Sequence, residues 1–369
     1  MRIGLISPPW VPVPPPAYGG IESVVHRLAC GLVAAGHDVL LAASGESTCP
    51  VPRVAALPRA QGSRIGDTVV ELRHLVRAYA AMDDVDLVHD HTVAGPLFRN
   101  RPQHLPVVTT NHGPFLSDLG ELYQVMGPEV AVVAISHHQA STSDGVPIAR
   151  VIHHGIDTAE VPPGKGTGGY ACFLGRMHPH KGPREAILVA RRAGIALRMA
   201  ARMQEPEERE YFQYAVAPLL GADAVYVGEL DEAGKYELLG GAVALVNPIQ
   251  WPEPFGLVML EALATGTPVV GTPSGAAPEI VDDGTTGYLR SDPEQLAAAL
   301  TRAADLDRSA CRTAVTERFS TDRMVRQHIG LYGEILEAAR RHSRFRPFRR
   351  YSRATDYTRT GNDGARDAG

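Results

Sequence analysis

The feature that most constrains this chain is an alternation. Short β-type runs, each closed by glycine, proline, histidine or asparagine, give way to segments of helical periodicity along most of its length. This is the pattern of a parallel α/β sheet, because parallel strands need a crossover long enough to hold a helix. In the first half it predicts strands at Arg2–Ile6, Asp38–Ala42, Leu87–His89, Pro106–Thr110, Val130–Ile135 and Ala149–His153, and a helix at Ile21–Ala35 stopped by Gly36. The alternation breaks at VPPGKGTGG, Val161 to Gly169, which sustains neither helix nor strand and is read as a domain boundary. It then resumes, with strands expected at Tyr170–Leu174, Leu197–Ala200, Ala224–Val227, Ala242–Val246 and Val269–Gly271 and a helix after Pro183.

Two α/β units of similar architecture are therefore expected, residues 1–163 and 164–320, which suits a chain of 369 residues. Apolar residues at Met324, Val325, Ile329, Leu331, Ile335 and Leu336 predict a closing helix over 321–341. The remaining 342–369 are basic and then polar without periodicity. They read as a disordered tail, with weak membrane-surface or partner contact through its arginines and phenylalanines as the alternative.

Composition narrows the function. A net charge of −5 lacks the broad positive field of a nucleic-acid binder, so any phosphate site must be local. Cys30, Cys49, Cys172 and Cys311 are scattered, without a CxxC pair or zinc-like spacing, and read as reduced thiols. The start MRIGLISPPW is too short for a secretory core, and no run of about 18–20 apolar residues occurs, so no transmembrane segment and a cytoplasmic location are expected.

The richest segment is EPFGLVMLEA, Glu253 to Ala262. Pro254 and Gly256 hold Glu253 on a loop, whereas Leu257 onward reads as a helix that carries Glu261. The helix start between the two carboxylates offers unpaired amides and a positive dipole end, a ready site for a diphosphate. Carboxylates suit sugar hydroxyls, so Glu253 and Glu261 are placed to hold a sugar on each side of it. From the spacing alone, two solvated surface glutamates remain the alternative. In FLGRMHPHKG, a strand ends at Gly175 and a loop delivers Arg176 and Lys181 to the strand's carboxyl end, where open α/β sheets bind ligands. Gly19 and Gly20 follow the proline-rich loop PPWVPVPPP ahead of the first helix, and the missing GxGxxG argues against a dinucleotide-dependent dehydrogenase. His112, in TTNHGP, occupies a strand's carboxyl end in the first unit, as do His89 and His91 in LVHDH. No metal site is proposed for them, since no third ligand is identifiable.

The Glu, seven residues, Glu spacing of Glu253 and Glu261, with the flanking PFG, EALATGTPVV and APEIV, resembles the retaining glycosyltransferases of family 4. The resemblance spans about residues 1–341 and implies a GT-B fold, two Rossmann-like domains facing across a cleft, with the closing helix returning to the first. It implies that Glu253 bonds the transferred hexose, Glu261 the ribose, and the amides of Phe255, Gly256, Leu257 and Val258 the phosphates. Arg176 and Lys181 would meet the leaving diphosphate, with Gly175, Gly19 and Gly20 close by. His112 would lie beside the reacting carbon, and Glu229 and Leu230, in VYVGEL, would read the nucleobase through their backbone. HHGID, His153 to Asp157, looks like the family's inter-domain crossover, with His153 and His154 where proline and asparagine are usual.

The function so implied is metal-independent transfer, with retention, of a hexose from a UDP- or GDP-linked donor. The acceptor is an unidentified carbohydrate, lipid-linked or small molecule, and no cofactor is needed beyond the donor substrate. The rivals are a nucleotide-sugar epimerase on the same fold, which releases no free nucleotide, and a non-catalytic nucleotide-sugar sensor.

Overall fold

The computed structural model describes residues 1–115, 118–126 and 129–345. The first domain is a seven-stranded parallel sheet built from β1 (Arg2–Ile6), β2 (Asp38–Ser44), β3 (Arg53–Leu57), β4 (Leu87–Asp90), β5 (Val107–Thr110), β6 (Val130–Ala134) and β7 (Ile148–Val151), in the order β3-β2-β1-β4-β5-β6-β7. The second has six parallel strands, β8 (Tyr170–Arg176), β9 (Ala196–Arg202), β10 (Ala224–Gly228), β11 (Leu245–Asn247), β12 (Val269–Gly271) and β13 (Gly287–Leu289), ordered β10-β9-β8-β11-β12-β13. Central strands such as β1, β4 and β11 are buried on both faces, which is why they read as continuous apolar runs. The strands absent from the sequence reading, β3 and β13, each lie at one edge of their sheet.

Both sheets reverse their strand order beside the first strand, between β1 and β4 and between β8 and β11. In open α/β sheets the crevice for ligands opens at the carboxyl ends of such a pair. The loops after β1, β4, β8 and β11 thus define where the site must be.

The chain passes between domains twice, and the two passages run side by side. Ile156 N–H donates to the Phe319 carbonyl at 2.9 Å, and Ile156 bridges to Ser320. Gly155 permits this approach, since a Cβ there would meet the Ser320 carbonyl oxygen at 2.6 Å. The helix Thr321–Phe345 then lies on the first domain, where Met324, Val325, Leu331 and Tyr332 join the core around Leu28 and Leu32 of the helix Gly20–Ala34. The backbone of 342–345 continues this helix, and the rest of the tail expected to be disordered lies outside the described residues.

Candidate functional site

On the second-domain wall, β8 delivers Arg176, whose guanidinium is held 2.7 Å from the buried carboxylate of Glu208. A short turn over Pro179–Lys181, ended by Gly182 in the left-handed region, brings Lys181 back against Glu253 as an ion pair. The loop after β11 carries Glu253, whose backbone carbonyl accepts from Ala276 N–H at 3.0 Å. Its Oε1 is paired with Lys181, while Oε2 is buried without a hydrogen-bond partner among the described residues. Glu253 therefore has acceptor capacity in reserve.

The helix Leu257–Ala264 starts immediately beyond. Gly256 is its N-cap at φ 98°, a conformation that favours glycine, and no side chain caps the first turn. Its orphan amides consequently face the cleft between the two glutamates. Glu261, one turn in, is held 2.7 Å from Lys235 Nζ. Leu257 packs against the cores of both domains, which wedges this helix start at their junction.

The first-domain wall begins at Gly19 and Gly20, where the helix Gly20–Ala34 starts. Tyr18 N–H reaches Glu229 Oε1 across the cleft at 3.3 Å. His112 follows β5, half-buried, with Nε2 2.9 Å from His91 Nδ1 and its ring stacked on His154 at 5.1 Å between centroids. Burial, then the field of His328, holds His112 down at about 3, so it is a neutral imidazole at any working pH. His89 and His91, at the carboxyl end of the preceding strand, do not line the cleft. His89 engages both ring nitrogens inside the domain, with Tyr332 Oη at 2.7 Å and Thr110 Oγ1 at 2.8 Å, and His91 backs His112 instead.

One cleft of about 430 Å³ gathers Gly19, Gly20, His112, Gly175, Arg176, Lys181, Glu229, Leu230, Glu253, Phe255, Gly256, Leu257, Val258 and Glu261. A larger hollow of about 890 Å³ opens beside the inter-domain passages and contains neither Arg176 nor Glu253, so the residues singled out in the sequence gather in the smaller one. Sequence reasoning missed Lys235, although the chain has only Lys165, Lys181 and Lys235 and two of them pair with the two motif glutamates. It also missed Glu22, which lines the cleft with its carboxyl pushed up to about 7 by burial. Glu279 was missed as well. From the second domain it accepts from His137 N–H at 2.9 Å, His138 N–H at 2.7 Å and His153 Nε2 at 2.7 Å, all in the first.

Comparison with known proteins agrees with this geometry. Residues 18–160 match the family described as Glycosyltransferase Family 4, and residues 158–317 match Glycosyl transferases group 1. Glycogen synthase of Mycobacterium tuberculosis is 30% identical, the match covering 86% of this chain and 89% of that protein. Phosphatidyl-myo-inositol mannosyltransferase of Mycolicibacterium smegmatis is 28% identical, over 81% of this chain and 84% of its own. Among solved structures, AviGT4, a glycosyltransferase involved in avilamycin A biosynthesis, superposes with a TM-score of 0.71 at 25% identity, covering 91% of this chain and 98% of its own. Sucrose-phosphate synthase from Thermosynechococcus elongatus shares the fold, with a TM-score of 0.77 at 20% identity over 92% and 100% of the two chains. The Anabaena protein HepE, solved with UDP-glucose, also shares it, with a TM-score of 0.68 at 17% identity over 92% and 100%. With its two facing parallel-sheet domains, this chain belongs to the GT4-type glycosyltransferases, hexosyltransferases of the GT-B fold.

Proposed function

We propose that the cleft transfers a hexose, with retention, from a UDP- or GDP-linked donor to an acceptor approaching along the first domain. The observation that carries this is the arrangement around the start of the helix Leu257–Ala264, where uncapped amides lie between Glu253 and Glu261 and next to Lys181. A diphosphate at those amides puts the hexose toward Glu253 Oε2 and the ribose toward Glu261, and the base toward the backbone of Glu229 and Leu230. The mannosyltransferase relative and the neighbour solved with UDP-glucose are consistent with such a donor.

Lys181 and Glu253 now neutralise one another. A bound donor would exchange that pair for Lys181 on phosphate and Glu253 on hydroxyls. As the glycosidic bond breaks, charge grows on the diphosphate, where Arg176 and Lys181 stabilise it without a metal ion. Glu253 orients the flattening hexose, neutral His112 lies beside it, and the departing phosphate takes the acceptor proton on the same face. Cleft closure excludes water and suppresses donor hydrolysis.

The test is single-turnover consumption of UDP- and GDP-hexoses, reading free nucleotide diphosphate and the anomeric configuration of the product. A true donor at about 100 times its Kd should also stabilise the fold by about 2.7 kcal/mol. Sugar isomerisation without free nucleotide would identify an epimerase, and binding without turnover a sensor. Transfer should survive EDTA. Abolition by chelation with rescue by magnesium or manganese would overturn the metal-independent diphosphate site.

A further inference from the structure

His26 and Cys30 are one turn apart on the same face of the helix Gly20–Ala34, and Cys49 follows β2 on the neighbouring loop. Folding brings their ligand atoms within 4.8 Å of one another. Cys49 Sγ lies 3.3 Å and Cys30 Sγ 3.8 Å from His26 Nδ1. Tetrahedral zinc, with bonds of about 2.0–2.1 Å to nitrogen and about 2.3 Å to sulfur, sets such edges at about 3.6 Å. The two distances bracket that value.

We propose that His26, Cys30 and Cys49 form a zinc site, with a water as fourth ligand, that clamps the first helix to the Cys49 loop. The donor set of one imidazole and two thiolates is soft and suits Zn²⁺ over magnesium or calcium. Two thiol protons leave to solvent on binding, so the two thiolates balance the charge of the ion. His26 lines the hollow of about 890 Å³, which gives the ion a solvent route. Cys49 is held in place independently, since its carbonyl accepts from Arg53 and its N–H donates to the Val13 carbonyl at 2.9 Å. Val13 belongs to the proline-rich loop before Gly19, so the ion would stiffen the approach to the cleft without touching the reacting groups. A second cluster, His137, His153 and Glu279, is a weaker candidate, because its carboxylate already accepts three hydrogen bonds.

The test is titration of the full-length, reduced, metal-free chain with Co²⁺ and then Zn²⁺. One cobalt per chain should produce thiolate-to-cobalt charge transfer and intense tetrahedral visible bands, both removed by zinc. Cys30→Ser and Cys49→Ser should each weaken zinc binding by about a hundredfold or more, whereas Cys172→Ser, in the other domain, should leave it unchanged. Zinc should raise Tm in wild type but in neither of the first two variants, with basal transfer unchanged. Circular dichroism screens the variants for folding, and if Cys49→Ser misfolds, half-buried Cys30 decides the matter. Absence of charge transfer under reducing conditions, or binding retained in Cys30→Ser, overturns the site.

Discussion

Glu253 and Glu261 share a motif but not an environment, and that difference separates their expected failures. Glu261 shares its charge with Lys235 and is proposed to hold the ribose equally before and during reaction. Glu261→Gln should therefore weaken nucleotide binding by about 1–3 kcal/mol and leave the chemical step near normal. Glu253 keeps a buried oxygen with no partner among the described residues and is proposed to orient a hexose that gains positive charge, so Glu253→Gln should lower turnover with nucleotide affinity little changed. Calorimetry and single-turnover kinetics on both variants check this, and a reversed outcome would mean the donor lies the other way round. Glu22 has a different consequence, for stability. Its carboxyl titrates at about 7 in the fold, against an ordinary value of 4.5. Below the ordinary value both folded and unfolded chains are protonated and the contribution is complete. As pH rises the unfolded chain ionises first, so stability falls until the folded carboxyl titrates, a loss of about 3 kcal/mol in all. Glu22→Gln should thus gain roughly 2 kcal/mol more over wild type at pH 8 than at pH 5 in urea unfolding, and an equal difference at both pH values would contradict it.

At the scale of elements, two helices carry most of the functional consequence. The helix Leu257–Ala264 leaves its first turn without a side-chain cap at the domain junction, which costs stability locally and offers amides to the diphosphate proposed there. The helix Thr321–Phe345 is the last element described, yet its Met324, Val325, Leu331 and Tyr332 belong to the first domain's core and Tyr332 bonds His89. Two truncations should behave oppositely. Removing residues after Arg341 should leave turnover within about twofold, because that segment lacks an apolar stripe. Stopping at Ser320 deletes several fully buried side chains, each worth about 1.5–3 kcal/mol, and should cost the first domain its fold. Soluble expression and near-ultraviolet circular dichroism distinguish the two, and a folded chain ending at Ser320 would refute the packing argument.

At the scale of the whole molecule, the question is what holds the two walls of the cleft together. Glu279 accepts three hydrogen bonds from the opposite domain, next to the paired passages at Ile156 and Ser320. Burial pulls its carboxyl up, but the bonds from His153, His138 and His137 outweigh it and hold the group below the ordinary value. A hydrogen bond to a charged group contributes about 1.5–3 kcal/mol, so Glu279→Ala should shift the domains toward an open arrangement. Small-angle scattering should record a larger radius of gyration. Transfer should fall about tenfold or more while nucleotide affinity, proposed to rest on the second domain, stays close to wild type. An unchanged radius with unchanged turnover would show that closure does not depend on Glu279. Among the described residues no helix is long and apolar enough to cross a membrane.

The sequence by itself determined the class of fold and the second-domain half of the cleft. Strand–helix alternation is a local signal, and the residues from Glu253 to Glu261 and from Gly175 to Lys181 are each contiguous, so their placement on a loop, a helix start and a strand end reads from order and spacing. Only the tertiary structure decided which distant residues meet. Lys235 joins Glu261 across 26 positions, and Glu279 meets His153 across 126. His89 turns inward to Tyr332 across 243, and Cys49 comes to His26 from another element. Contacts of that range are set by how helices pack on sheets and how two sheets face one another. Local spacing carries no information about them, which is why the carboxylate bridging the domains and the histidine–thiol cluster became visible only in the fold.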